Sequence, residues 1–167
     1  MRHSMLILTC ALALNSLLAI STNAQSADTL LTISGQSALG DGTKPLTLTR
    51  DQLLSLKASS FETSTIWTDG VHRFDGVSLH TLASLLDLSS DTTLRATAIN
   101  NYSVEIPLSD ATPDGPIIAY AMDGADMSVR DKGPLWIVYP YDSRASYRAE
   151  LIYARSIWQI DRIDIVQ

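Results

Sequence analysis

The chain has 167 residues, 46% of them hydrophobic and 18% charged, which suits one domain with a sizeable core and excludes a disordered polar chain. A formal net charge of -6 argues against nucleic acid or an anionic membrane as partner. The single cysteine, Cys10, excludes a disulfide framework within the chain and a Cys-based zinc site.

The opening segment, MRHSMLILTCALALNSLLAISTNA, places Arg2 and His3 before an apolar run and ends on small residues, with Thr22 and Ala24 suited to a signal peptidase. It reads as a secretory signal peptide cleaved near Ala24. Asn15 and Ser16 interrupt the apolar run, which is shorter than the ~20 residues of a membrane-spanning helix. Residues 25–167 are then expected to be one exported domain, periplasmic or secreted and free of the membrane. Cleavage removes Cys10 and takes the counts from 12 basic and 18 acidic residues to 11 and 18, a net charge near -7. With no thiol left, core packing alone must hold the domain.

DTLLTISG (28–35) is an apolar, β-branched run ending at glycine and predicts a first strand. LGDGTKPLTL is turn-rich and leads to TLTRDQLLSL, where Thr49 caps a short helix with Asp51 in its first turn and Leu53, Leu54 and Leu56 as an apolar face. SSFETSTIWTDG (59–70) predicts an exposed or edge strand. A turn is expected at Asp75-Gly76, after which Ser78 caps a second helix whose Leu79, Leu82, Leu85 and Leu86 repeat at helical spacing. TLRATAIN (93–100) and YSVEIPL (102–108) predict two strands joined by Asn100-Asn101, residues that tolerate a left-handed turn. PIIAYAM (116–122), LWIVYP and SIWQIDRIDIV predict further strands, with DGADMSVRDKGP as an extended turn region. The whole predicts a β-rich α+β domain of mixed strands with two short helices on top.

The stretch RDKGPLWIVYPYDSRASYR (130–148) concentrates rings and cations. Pro140 stops the ladder there, leaving YDSRASYR as a loop from which Tyr141, Asp142, Arg144, Tyr147 and Arg148 are expected to project together as one wall of an anion-accepting cleft. Trp67, Tyr102, Tyr139, Tyr141 and Tyr147 flank turns, where rings with polar edges line ligand pockets. Asn101 joins Tyr102 among the candidates at its turn. Trp136 and Trp158 read as core.

Other chemistries find little support. His72 and His80 are the only histidines past the leader, and His80 reads as an exposed helical residue. No G-x-S-x-G elbow is present, so hydrolysis by a Ser-His-Asp triad is not expected. DGADMSVRD lacks the alternating carboxylates and distal glutamate of a calcium loop. Neither a P-loop nor a dinucleotide-binding glycine loop occurs.

The succession FDGVSLHTLASLL, NNYSVEIPLSDA, IIAYAMDGADMSVRDKGPLWIVYP and WQIDRIDI resembles the molybdopterin-binding oxidoreductase domain of the sulfite oxidase family, in particular its small exported members, over about residues 30–166. The resemblance implies a compact, β-rich α+β domain that holds molybdenum through a pterin dithiolene and one protein cysteine. That cysteine would fall in FETSTIWTDGVHRFDG, which contains Ser64 and Thr65 instead. A serine hydroxyl is far less acidic than a thiol of pKa about 8.5 and is a poor metal ligand, so Ser64 is only a weak candidate. The resemblance also implies phosphate anchoring by basic side chains, for which His72, Arg73, Arg130, Arg144 and Arg148 are candidates because an arginine fork grips an anion with two parallel hydrogen bonds.

The expectation is therefore a binding or sensory module for a small anionic or pterin-like ligand, with no bound cofactor. Two alternatives stay open. One is an active molybdopterin-dependent oxidoreductase that holds its metal through the pterin alone or with Ser64. The other is a structural or partner-binding protein whose cleft is closed.

Overall fold

A computed structural model describes residues 28–35 and 44–166. The leader, Cys10 and most of the turn-rich stretch before Leu46 lie outside the described residues. Among the described residues no helix is long and apolar enough to cross a membrane.

Two β-sheets, one mixed and one wholly antiparallel, make up the fold with a few short helices, an α+β architecture. The first contains β1 (Thr29–Gly35), β2 (Leu46–Thr49), β5 (Thr93–Ala98), β6 (Ser103–Pro107) and β10 (Ile160–Val166), in the order β2-β1-β10-β5-β6. β1 and β10 run parallel and the other neighbours antiparallel. The second has the order β3-β4-β7-β8, from β3 (Ala58–Ser64), β4 (Val71–Ser78), β7 (Ile117–Met122) and β8 (Ala125–Asp126), with β9 (Trp136–Val138) also paired to β7.

In the first sheet, alternation does the sorting. Leu31 and Ile33 of β1 and Ile163 and Ile165 of β10 turn inward while their neighbours stay partly exposed. In the second sheet β7 and β9 are buried on both faces, so Ile117, Ile118, Ala119, Trp136, Ile137 and Val138 form unbroken apolar runs.

The helix starts follow their caps. Thr49 Oγ1 accepts from the Gln52 amide at 3.3 Å while Gln52 Oε1 accepts from the Thr49 amide at 2.8 Å, a reciprocal box that opens α1 (Arg50–Ser55). Ser78 Oγ accepts from the Thr81 amide at 3.0 Å and opens α2 (Leu79–Leu85). Leu79, Leu82 and Leu86 are buried, whereas Leu85 and Leu54 of α1 face outward.

Three expectations need correction. Asp75-Gly76 is not a turn but an irregularity inside β4, where the register against β7 shifts. Gly76 serves contact there: a Cβ would stand 2.3 Å from the Ile118 carbonyl oxygen, so any side chain would push β7 away. A third helix, α3 (Glu150–Arg155), follows the 130–148 stretch. With six residues and only Ile152 buried, it gives no repeating apolar pattern to read. Finally, LWIVYP forms a strand over only three residues.

Candidate functional site

The two sheets meet at an aromatic junction. Trp136 of β9 bridges to Trp158, which leads into β10, and the Ile137 amide donates to the Ile157 carbonyl at 2.9 Å. Trp67, on the turn between β3 and β4, lies edge-on to Trp136, Tyr141, Tyr153 and Trp158 with ring centroids 5.6 to 6.2 Å apart. These spacings are those of favourable edge-to-face pairs. Trp136 is fully buried and also packs on Phe74, while Trp67 and Trp158 keep one side open.

On that open side is a recess of about 200 Å³. Trp67, Trp158 and Tyr153 supply its rings, Tyr102 stands exposed beside it, and Asn100 and Gln159 supply amide edges. The local backbone builds this wall. Asn101 has φ 66° and its amide donates to the Ala98 carbonyl, a tight turn that sets Tyr102 outward. Tyr102 N donates to Asn100 Oδ1 at 3.0 Å, and Arg162 donates to Asn101 Oδ1 at 2.8 Å, so the turn is held from both sides. Opposite, the Ile99 amide donates to the Gln159 carbonyl at 2.9 Å.

The loop Tyr141–Arg148 does not line the recess and is internally occupied. Tyr141 is 1% exposed and donates to Ser156 Oγ at 2.6 Å, which in turn donates to the Ile152 carbonyl at 2.8 Å. Its burial pushes the phenol well above its ordinary pKa. Tyr147 is also buried, with the Arg144 guanidinium 4.5 Å above its ring. Arg148 donates to the Tyr141 carbonyl at 3.2 Å. Thus Tyr141 and Tyr147 turn inward and do not project with Asp142, Arg144 and Arg148, because their rings complete the core between β9 and α3.

Asp142 reaches back to β3. Its carboxylate accepts from Ser64 N at 2.5 Å and from Ser64 Oγ at 2.9 Å, while its own amide donates to Thr63 Oγ1 at 3.1 Å. The bonds from the Ser64 backbone and hydroxyl hold the carboxyl below the usual range. The Ser64 hydroxyl is thereby spent as a donor. Among the described residues no group of three or more His, Cys, Asp or Glu converges as metal ligands. Ser64 so engaged, with no such group beside it among the described residues, does not fit the role of a metal ligand.

The other candidates have close partners. Arg73 forms an ion pair with Asp75 at 2.9 Å. His72 Nδ1 lies 2.6 Å from Asp123 Oδ2, and its Nε2 lies 2.9 Å from the Asp69 carbonyl. The Asp123 bond raises the His72 pKa above 6.5, and the same bond lowers that of Asp123. Arg130 is exposed in a 3-10 turn. Of the residues singled out from sequence, Trp67 and Tyr102 line the recess, and Asn101 and His72 fasten turns beside it. Asn100, Tyr153, Trp158 and Gln159 join them unforeseen. Tyr153 sits on the unread α3, and Trp158 alternates with the isoleucines of β10 like any core residue.

A second polar network involves Asp110, which accepts from Tyr139 Oη and Arg155 Nη1, each at 2.8 Å. Burial first, and the Asp110 charge second, push the Tyr139 phenol strongly upward.

No family model and no curated protein matches the chain. Among solved structures it is similar to the sulfane dehydrogenase SoxCD from Paracoccus pantotrophus, with a TM-score of 0.61 and 18% identity. The match covers 83% of this chain and 38% of that one, so the chain spans well under half the length of its structural neighbour. The fold is sulfite-oxidase-like; at that identity the likeness is one of fold.

Proposed function

We propose that the protein is a binding or sensory module that holds a flat, pterin-like ring in the recess beside Trp67, outside the cytoplasm once the leader is removed. One observation carries this reading: four aromatic rings and two amide edges converge on an open recess at the sheet junction. Rings supply stacking surface; Asn100, whose Oδ1 accepts from the Tyr102 amide, offers its NH2 as donor, and Gln159, whose Nε2 donates to the Val129 carbonyl, offers its Oε1 as acceptor, the combination a heteroaromatic edge requires.

Size limits the ligand. At about 200 Å³ the recess falls below the roughly 300–1,000 Å³ of sites for drug-sized molecules, so it suits a ring rather than an extended cofactor with a phosphate tail. Arg144 and Arg148 do not line it, which favours a neutral ring over a small anion. The likeness to a dehydrogenase fold is consistent with a pterin-like ligand, but Ser64, already donating to Asp142, is a poor substitute for a metal-binding thiolate. An oxidoreductase holding molybdenum is therefore the less supported reading. Stoichiometric molybdenum in protein purified from a host able to make the pterin cofactor would overturn this ranking.

Calorimetric titration with unsubstituted pterin tests the proposal directly. Saturable binding that Tyr102→Ala and Trp158→Ala weaken supports it; absence of binding by the folded protein up to the solubility limit of pterin refutes it. A second reading, partner binding through a closed cleft, is favoured by the four edge contacts that tie down Trp67. It predicts no binding of any small ring.

A further inference from the structure

The turn that carries Trp67 is fastened by two devices of different chemistry. Inside the turn, the hydroxyls of Thr65 and Thr68 share a hydrogen bond at 2.8 Å, and the Trp67 amide donates to Thr65 Oγ1 at 3.0 Å. Neither group titrates near neutrality. The second device is His72, which reaches from β4 to the Asp69 carbonyl on one side and to Asp123, on the turn between β7 and β8, on the other.

Both oxygens facing the ring are acceptors. A carbonyl has no proton to give, and Asp123 is held ionised by His72 and by the amide of Arg73, which donates to its other oxygen at 2.9 Å. A neutral imidazole carries one N–H and one bare lone pair, so it satisfies only one of the two. The arrangement is complete only as imidazolium. On loss of a proton the remaining N–H stays with the carboxylate, the stronger acceptor, and the Nε2 lone pair is left facing the Asp69 carbonyl.

We infer that His72 is a positioning residue for the recess: as imidazolium it ties the Trp67 turn to the Asp123 turn, and on deprotonation it releases Asp69, making ring binding weaker at higher pH. The effect on binding rests on the reading of the recess given above. The hold on the turn does not. The other groups around the ring support this assignment without competing for it. Phe74 lies edge-on at 6.5 Å, Thr63 is its neutral partner across β3, and the adjacent Arg73 is occupied by Asp75. Asp69 and Asp123 are the charges that favour its protonated form. The sign follows from the raised pKa: the tie is complete below about pH 6.5 and is lost as pH rises through the higher folded value.

The test uses the full chain and two readouts. In the absence of any ligand, tryptophan emission and acrylamide quenching of the wild type are expected to titrate with a midpoint above 6.5, and Trp67→Phe to abolish that titration. Pterin affinity is expected to fall roughly fivefold across the same midpoint, the weight of one hydrogen bond. His72→Gln should flatten both curves, and Asp123→Asn should move the midpoint down. A histidine titration followed by NMR in the wild type gives the midpoint without relying on a variant that folds poorly. Emission that does not change with the His72 titration, or a titration retained in His72→Gln, overturns the inference. If emission titrates but pterin never binds, the positioning role stands and the proposed ligand falls; pterin binding with pH-independent affinity does the reverse.

Discussion

The recess beside Tyr102 and the loop Tyr141–Arg148 are built from the same kinds of residue, yet they dispose of them in opposite ways. In the loop, each ring and cation is matched within the molecule: Tyr141 to Ser156, Arg144 to Tyr147, Arg148 to a carbonyl, and Asp142 to Ser64. In the recess, Tyr102 remains 59% exposed and the indoles keep an open side. What distinguishes them is the backbone beneath. The loop crosses over the core between β9 and α3, where any ring is captured, whereas the turn at Asn101 points its neighbour away from the sheet. Richness in tyrosine and arginine therefore marks a fastening as readily as a binding site.

Substitutions can break this contrast or sharpen it. The largest effect is expected at the shared boundary: Trp136→Ala removes a fully buried ring that touches Trp67, Phe74 and Trp158 and should cost about 3–5 kcal/mol in urea unfolding. Asp110→Ala leaves the Arg155 guanidinium and the Tyr139 hydroxyl without their carboxylate and should cost about 3 kcal/mol by the same measurement. On the loop side, Tyr141→Phe deletes one buried hydrogen bond and should cost about 1 kcal/mol without altering pterin affinity.

On the recess side the pattern inverts. Tyr102→Ala should change stability by less than about 0.5 kcal/mol, as exposed substitutions do, while weakening pterin binding measurably in calorimetry. Equal losses of stability from Tyr102→Ala and Tyr141→Phe would erase the contrast. The smallest effect concerns acid. The folded-state pKa of Asp142 is depressed, so its bonds to Ser64 and Thr63 contribute above the ordinary carboxylate value of 3.8 and are lost as pH falls through the lower folded value. Asp142→Asn should accordingly flatten the acid limb of thermal stability slightly, with no change at the recess.

Much of the architecture was legible because local chemistry and the final fold agree. Thr49 and Ser78 announce their helices, and Asn100-Asn101 announces its turn. The failures have physical causes. Asp75-Gly76 has turn chemistry, but its glycine serves a close approach to the Ile118 carbonyl instead. α3 is stabilised by docking rather than by a repeating pattern, which a window of six residues cannot display. The recess was half legible: Trp67 and Tyr102 flank turns as pocket residues do, but only the pairing of Trp136 with Trp158 brings Tyr153, Gln159 and Asn100 to them. That contact joins residues 22 apart through two different sheets, and no local rule encodes it.

The place of β10 also bears on how the molecule comes into being. It is the last in chain order of the described strands and the middle one of its sheet, flanked by β1 on one side and β5 on the other. Until residues 160–166 leave the ribosome, the nascent polypeptide holds two separate hairpins, β1–β2 and β5–β6, each too small to persist alone in water. Completion of this sheet must then wait for β10 and close contacts more than 120 residues apart, a slow step by the general dependence of folding rate on sequence separation.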